Sequence, residues 1–165
     1  MTPSRVAFFR RVARPASVAV LTIALDQFTK WAIRSSFQLG QSLPLLPPVL
    51  YLSYVQNTGA AFGIFPGRAS VLIVVALGVA GWVTLELLRT RHRPHRLTEW
   101  ALSLILGGAI GNLIDRLRLG YVIDFIDLRI WPVFNLADTA ISIGASLLIW
   151  QALRGSAKAS DSHAS

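Results

Sequence analysis

Five of the eight acidic residues, Asp26, Asp115, Asp124, Asp127 and Asp138, lie in or beside the ends of strongly apolar segments. An ionisable group at such a position is costly unless paired or solvated, so each is a functional candidate. Their neighbours sort them. Asp26 and Lys30 stand four apart, and the spacing predicts an ion pair on one helical face, tying the first apolar segment to the loop after it. Asn112, Asp115 and Arg116 occupy the string GNLIDR, where both signs of charge read as a clamp on local backbone and on a polar ligand. Asp124 sits in VIDFI, with no cation in its immediate sequence. Asp138 ends the string FNLAD, with Asn135 three residues earlier on the same side.

If the loop before Asp138 folds back, Asp124 and Asp138 can face each other. Two close carboxyl groups cannot both ionise comfortably, so one keeps a proton. The ionised member then takes a proton from water while the protonated member donates toward a substrate carbonyl, which is peptide hydrolysis. Asp127, three residues on and close to Arg129, is the rival to Asp124. Other nucleophiles assemble less well: Ser53, Thr58, Thr139 and Ser142 have no histidine on their side of the membrane. A serine–lysine pair through Lys30 is opposed by Asp26, which favours the charged amine. Cysteine is absent, which removes disulfides, thiol catalysis and cysteine metal sites. His92 and His95 sit among arginines that repel a cation, and His163 is in a polar tail, so neither metal nor cofactor is expected.

These residues must be positioned by membrane helices. Hydrophobic residues make up 53% of the 165, and charged residues are 15% where soluble domains carry about 25%. Mean hydropathy is +0.54. Apolar segments fall at residues 16–33, 70–88, 97–114 and 133–153, each close to the ~20 residues that cross a ~30 Å hydrocarbon core. A soluble bundle would need polar outer faces, which residues 71–83 and 101–114 lack. Arg5, Arg10, Arg11 and Arg14 precede the first run as in a secretory signal. Asp26 and Lys30 within the run, and no small-residue cleavage site after it, make it a retained span.

The net charge of +8 does not indicate a nucleic acid partner, because the basic residues cluster in gaps between apolar runs. Ten of the 16 lie before the first span, between the second and third, or after the fourth. The positive-inside rule puts both termini and the Arg89–Arg96 turn in the cytoplasm, and the 34–68 and 116–132 loops outside. In the first of these loops, residues 49–55 read as a short strand bounded by Pro47 and Pro48, and residues 60–65 as a returning one. Phe37, Leu39, Leu43, Leu45 and Leu46 suit the headgroup layer, and Trp31, Tyr121 and Trp131 suit interfacial anchors. Residues 1–154 are expected to form one membrane domain and 155–165 a disordered polar tail. Gly107, Gly108 and Gly111 permit close approach of a helix or of substrate backbone. Asn57, with Gly59 behind it, is placed to offer a hydrogen bond to substrate. A proton- or cation-coupled transporter subunit is the alternative, but it requires acids spread through the membrane depth.

Five strings, in order and each at a loop–span junction, also resemble bacterial lipoprotein signal peptidase, the type II signal peptidase and a membrane aspartyl protease. They are DQFTK (26–30), NTGAAF (57–62), GNLIDR (111–116), VIDF (122–125) and FNLAD (134–138). The resemblance extends over residues 16–150. It places the family's aspartate dyad on Asp124 and Asp138, and its polar supporting residues on Asp26, Lys30, Asn57, Asn112, Arg116 and Asn135. It implies an all-α transmembrane fold of four helices with a small extracytoplasmic β-cradle and a mobile loop helix. It further implies cleavage of diacylglyceryl-modified prolipoproteins just before the lipidated cysteine, sensitivity to globomycin-type cyclic peptides, and residence in the inner membrane. Lipidated substrates and bilayer lipids are then the expected partners, and a monomer the expected working unit.

Overall fold

A computed structural model describes residues 3–59, 69–90 and 95–161. The order is α1 (Pro3–Ser36), β1 (Ser42–Leu46), β2 (Leu50–Asn57), α2 (Ala69–Thr90), α3 (Arg96–Leu119), β3 (Val122–Asp127) and α4 (Leu136–Asp161). The first three expected spans lie inside α1, α2 and α3. The fourth helix starts three residues later than expected because Asn135 caps it. The Asn135 Oδ1 accepts from the Asp138 amide at 3.0 Å, and the Asp138 Oδ2 accepts from the Asn135 amide at 3.2 Å. This reciprocal box satisfies two orphan donors at the helix start.

α2, α3 and α4 are long and apolar enough to cross a membrane; α1 carries Asp26, Gln27 and Lys30 within its apolar run. The result is a multi-pass bundle organised around α3, which touches α1, α2 and α4. Three glycines let its neighbours come close. A Cβ at Gly107 would meet the Ala19 carbonyl oxygen at 2.8 Å, one at Gly108 would collide with the Ala137 carbonyl oxygen, and one at Gly111 would meet Asp26 Oδ2 at 2.5 Å. Gly108 therefore packs against α4, the helix-packing reading of the two expected from sequence. By contrast α2, among the described residues, packs chiefly on α3 through Val83, Leu102 and Ile105. It leaves Val74, Val75, Leu77, Trp82 and Leu85 exposed, as a lipid-facing helix does.

The strands form one antiparallel sheet in the order β1-β2-β3. β2 matches the strand expected at 49–55. The other two were not foreseen. Leu43, Leu45 and Leu46, read as headgroup-seeking, belong to β1 and are exposed along its whole length. β3 returns because Gly120, in the left-handed region at φ 81°, ends α3 and donates its amide to the Arg116 carbonyl at 3.1 Å. The returning segment expected at 60–65 lies outside the described residues. Residues 37–59 hold β1 and β2 without a helix, so a loop helix is not found there. Ile33, Tyr54, Ile123 and Phe125 form the core where the sheet meets the bundle. α4 continues to Asp161, so the backbone of the expected disordered tail is helical that far; Ala157, Lys158 and Ala159 favour helix.

Candidate active site

Lys30 is the centre from which the site is built. It is 1% exposed, and its ammonium donates to three acceptors: Asp26 Oδ2 at 2.9 Å, Asp115 Oδ2 at 3.0 Å and Asn112 Oδ1 at 2.8 Å. An ammonium has three donors and no acceptor, so it is satisfied by these alone. The expected Asp26–Lys30 pair is present, but its role differs from the expectation. Among the described residues it ties α1 to α3 and α4, because Asp26 Oδ1 also accepts the Ala137 amide at 3.0 Å. Asp115 holds local backbone, as expected. Its oxygens accept from Lys30, from Gln27 Nε2 at 2.9 Å and from the Ile123 amide at 3.1 Å, so it fixes the start of β3 to α1 and α3.

Asn112 carries the order outward. Since Lys30 can only donate, the Asn112 atom facing it must be the oxygen, and the amide nitrogen is forced to the other side. There Nδ2 donates to Asp138 Oδ1 at 2.8 Å. Asn135 Nδ2 donates to the same Asn112 oxygen at 3.1 Å and to Asp124 Oδ1 at 2.7 Å. Asn57 Nδ2 reaches Asp124 Oδ2 at 2.9 Å, with its own oxygen accepting the Gly59 amide at 3.1 Å. Asn57, itself held by the Gly59 amide, thus orients the Asp124 carboxylate. Both carboxylates of the pair accept from Asn135, through its side chain for Asp124 and its backbone for Asp138. Carboxamides thus hold both Asp124 and Asp138, and neither forms an ion pair within 4.0 Å among the described residues. Arg116 donates to the Asn112 carbonyl at 3.3 Å, and its charge acts on Asp138, Asp124 and Asp115.

Burial pushes the Asp124 carboxyl up to about 6; the Asp138 charge adds to the rise, while the Asn57 and Asn135 donors oppose it. A carboxyl poised there changes protonation near neutrality, as acid–base work requires. Asp138 opens onto a cavity of about 390 Å³ lined by Leu128, Trp131, Phe134, Thr139, Ser142 and Ile143. That is within the usual size for a ligand site, mostly apolar with a few polar groups.

Asp127 does not join this arrangement. Residues three apart on a strand project from opposite faces, and Asp127 pairs with Tyr51 in register while Asp124 pairs with Val55. Its oxygens take Ser53 Oγ at 2.8 Å and the Arg129 amide at 2.9 Å. Ser53 meets Ser42 Oγ at 2.8 Å, so the cluster staples the three strands.

The family follows from comparison with known proteins. A model of the family described as signal peptidase (SPase) II matches residues 18–154. The chain belongs to this family. A lipoprotein signal peptidase of Moorella thermoacetica is 49% identical over 136 residues, covering 82% of this chain and 90% of its own. One of Halothermothrix orenii is 46% identical over 137 residues, covering 81% and 93%. A solved bacterial membrane enzyme, determined by the in meso method at 2.3 Å resolution, superposes with a TM-score of 0.80 at 29% identity, covering 89% of this chain and 92% of that one. The chain is accordingly an aspartyl peptidase of the signal peptidase II type, as its motifs implied. Sequence reasoning missed Gln27, whose Nε2 also reaches the Gly111 carbonyl at 3.2 Å. The available signal was a polar side chain one residue from Asp26 and three from Lys30 in an apolar span.

Proposed function

We propose that Asp124 and Asp138 are the catalytic dyad of an endopeptidase that frees diacylglyceryl-modified prolipoproteins of their signal peptides, cutting just before the lipidated cysteine. The observation that carries this reading is a pair of carboxylates sharing Asn135, held by neutral amides and beside a cavity. One member removes a proton from water as the water oxygen attacks the scissile carbonyl carbon, and the other protonates the carbonyl oxygen. Collapse of the tetrahedral intermediate breaks the C–N bond, and the leaving nitrogen takes a proton from the dyad. Arg116 supplies positive charge near the two carboxylates.

The setting supports this substrate class, and so do the names of the relatives, which are lipoprotein signal peptidases. A diacylated substrate is confined to the bilayer, and the largely apolar cavity beside Asp138 accepts its membrane-embedded part. The basic residues support an inner-membrane topology with both termini cytoplasmic and the dyad at the outer face. Residues 1–154 act as one unit, a monomer bearing a complete set of polar residues.

The test is cleavage of a diacylglyceryl prolipoprotein by purified protein, beside Asp124→Asn and Asp138→Asn. Each substitution lowers turnover by about 10³-fold or more while the thermal transition persists. Near-normal turnover in either variant removes that residue from the dyad. Loss of wild-type turnover on chelation would overturn the metal-free mechanism.

A further inference from the structure

We propose a second lipid-binding site, for the phosphate of an anionic phospholipid, in a crevice between α1 and α3. It rests on the membrane reading of the fold and not on the peptidase reading. A cavity of about 150 Å³ is lined by Trp31 and Arg34 of α1, by Arg118 and Leu119 of α3, and by Ile123. Its floor is Gln27, Lys30 and Asp115, a set already saturated: Asp115 is bound by Gln27, Lys30 and the Ile123 amide. The one carboxylate of the floor is thus already engaged by three donors, one of them an ammonium, and it forms no ion pair within 4.0 Å with either arginine.

Arg34 and Arg118 are both exposed, and among the described residues neither forms an ion pair within 4.0 Å. Each lies in the last turn of its helix, where a cation favours the helix dipole. The dipole explains each arginine singly. It does not explain why two like charges from different helices line one cavity, an arrangement that a shared anion relieves. An arginine fork matches the geometry of phosphate oxygens.

The surroundings select a lipid. Trp31 is 63% exposed, Phe28 61% and Leu117 64%, and the Phe28 and Trp31 rings lie 5.8 Å apart. Phe28 and Trp31 precede Arg34 on α1, and Leu117 adjoins Arg118 on α3, so acyl chains can run along them while the headgroup sits between the arginines. An indole beside a helix end is also the usual anchor at the headgroup level.

Native mass spectrometry of the full-length protein in detergent, titrated with phosphatidylglycerol or phosphatidylcholine, tests this. Phosphatidylglycerol binds more tightly than phosphatidylcholine, and the Arg34→Gln/Arg118→Gln double variant loses the preference, weakening about thirtyfold. The Arg34→Lys/Arg118→Lys variant keeps part of it, which separates charge from misfolding. Peptidase activity in detergent is unchanged in both. Equal binding of the two lipids, or full retention of the preference by the glutamine variant, overturns the proposal. Inorganic phosphate is the second probe. If it binds with the same arginine dependence and phosphatidylglycerol shows no advantage, the lipid assignment falls.

Discussion

The Lys30 cluster and the Asp124–Asp138 pair share Asn112, yet they treat buried carboxylates in opposite ways. Around Lys30, two aspartates face one ammonium and every donor is used. Around the pair, the donors are Asn57, Asn112 and Asn135, all neutral. A cation fixes the charge of its partner, because neutralising either side leaves the other buried and uncompensated. A carboxamide fixes position while leaving the proton free to come and go. The Asp127 cluster repeats the first solution at smaller scale, with Arg129 Nε 3.6 Å from Asp127 and its guanidinium over Tyr51. The acids that join helices or strands are paired with cations, and the pair proposed to react is held by amides.

The comparison is easiest to break at Lys30. Replacing it with Met strands Asp26 and Asp115 and should cost about 3–5 kcal/mol, seen as loss of the folded species in a thermal melt. A stable Lys30→Met protein would mean that the cluster is not what joins α1, α3 and α4. Asn112→Leu comes next. It removes the donor to Asp138 and the acceptor for Asn135, and should reduce kcat by about 10²-fold with a smaller change in KM. A pure KM effect would place Asn112 at substrate instead.

Protonation sharpens the contrast further. The native Asp124 carboxyl holds its proton more tightly than the unfolded one, so its contribution to stability is fully present below about 4 and is lost as pH rises through about 6. Asp124→Asn removes that penalty and should stabilise the protein by up to about 3 kcal/mol above pH 6, with little gain near pH 4. Melts across that range decide it, and a pH-independent difference would contradict the raised pKa. In activity, the acid limb of wild type should lie near 6. Asn57→Ala, which loses a donor to the ionised form, should move it upward. The smallest effect belongs to Asp127→Asn, which should cost about 1 kcal/mol and leave kcat nearly unchanged. Its abolition of turnover would reverse the assignment of the two loop aspartates.

Much of this was legible in the residues. Apolar length placed four helices, and acids at the ends of apolar runs marked Asp26, Asp115, Asp124 and Asp138 as the polar core. What misled was local distance. Asp127 competed with Asp124 until β3 put them on opposite faces, and Asp26–Lys30 read as a local pair until the ammonium proved to reach Asp115 and Asn112, over eighty positions away.

By itself, then, the sequence determined the helices, the acids gathered near their ends, and the spacing of Asn135 and Asp138 that caps α4, because these depend on transfer energy and on contacts within one or two turns. Only the tertiary structure decided which acid meets a cation and which meets an amide. That choice is made by side chains from different elements competing for the same few donors, and Lys30, by taking the Asn112 oxygen, turns the remaining amide toward Asp138.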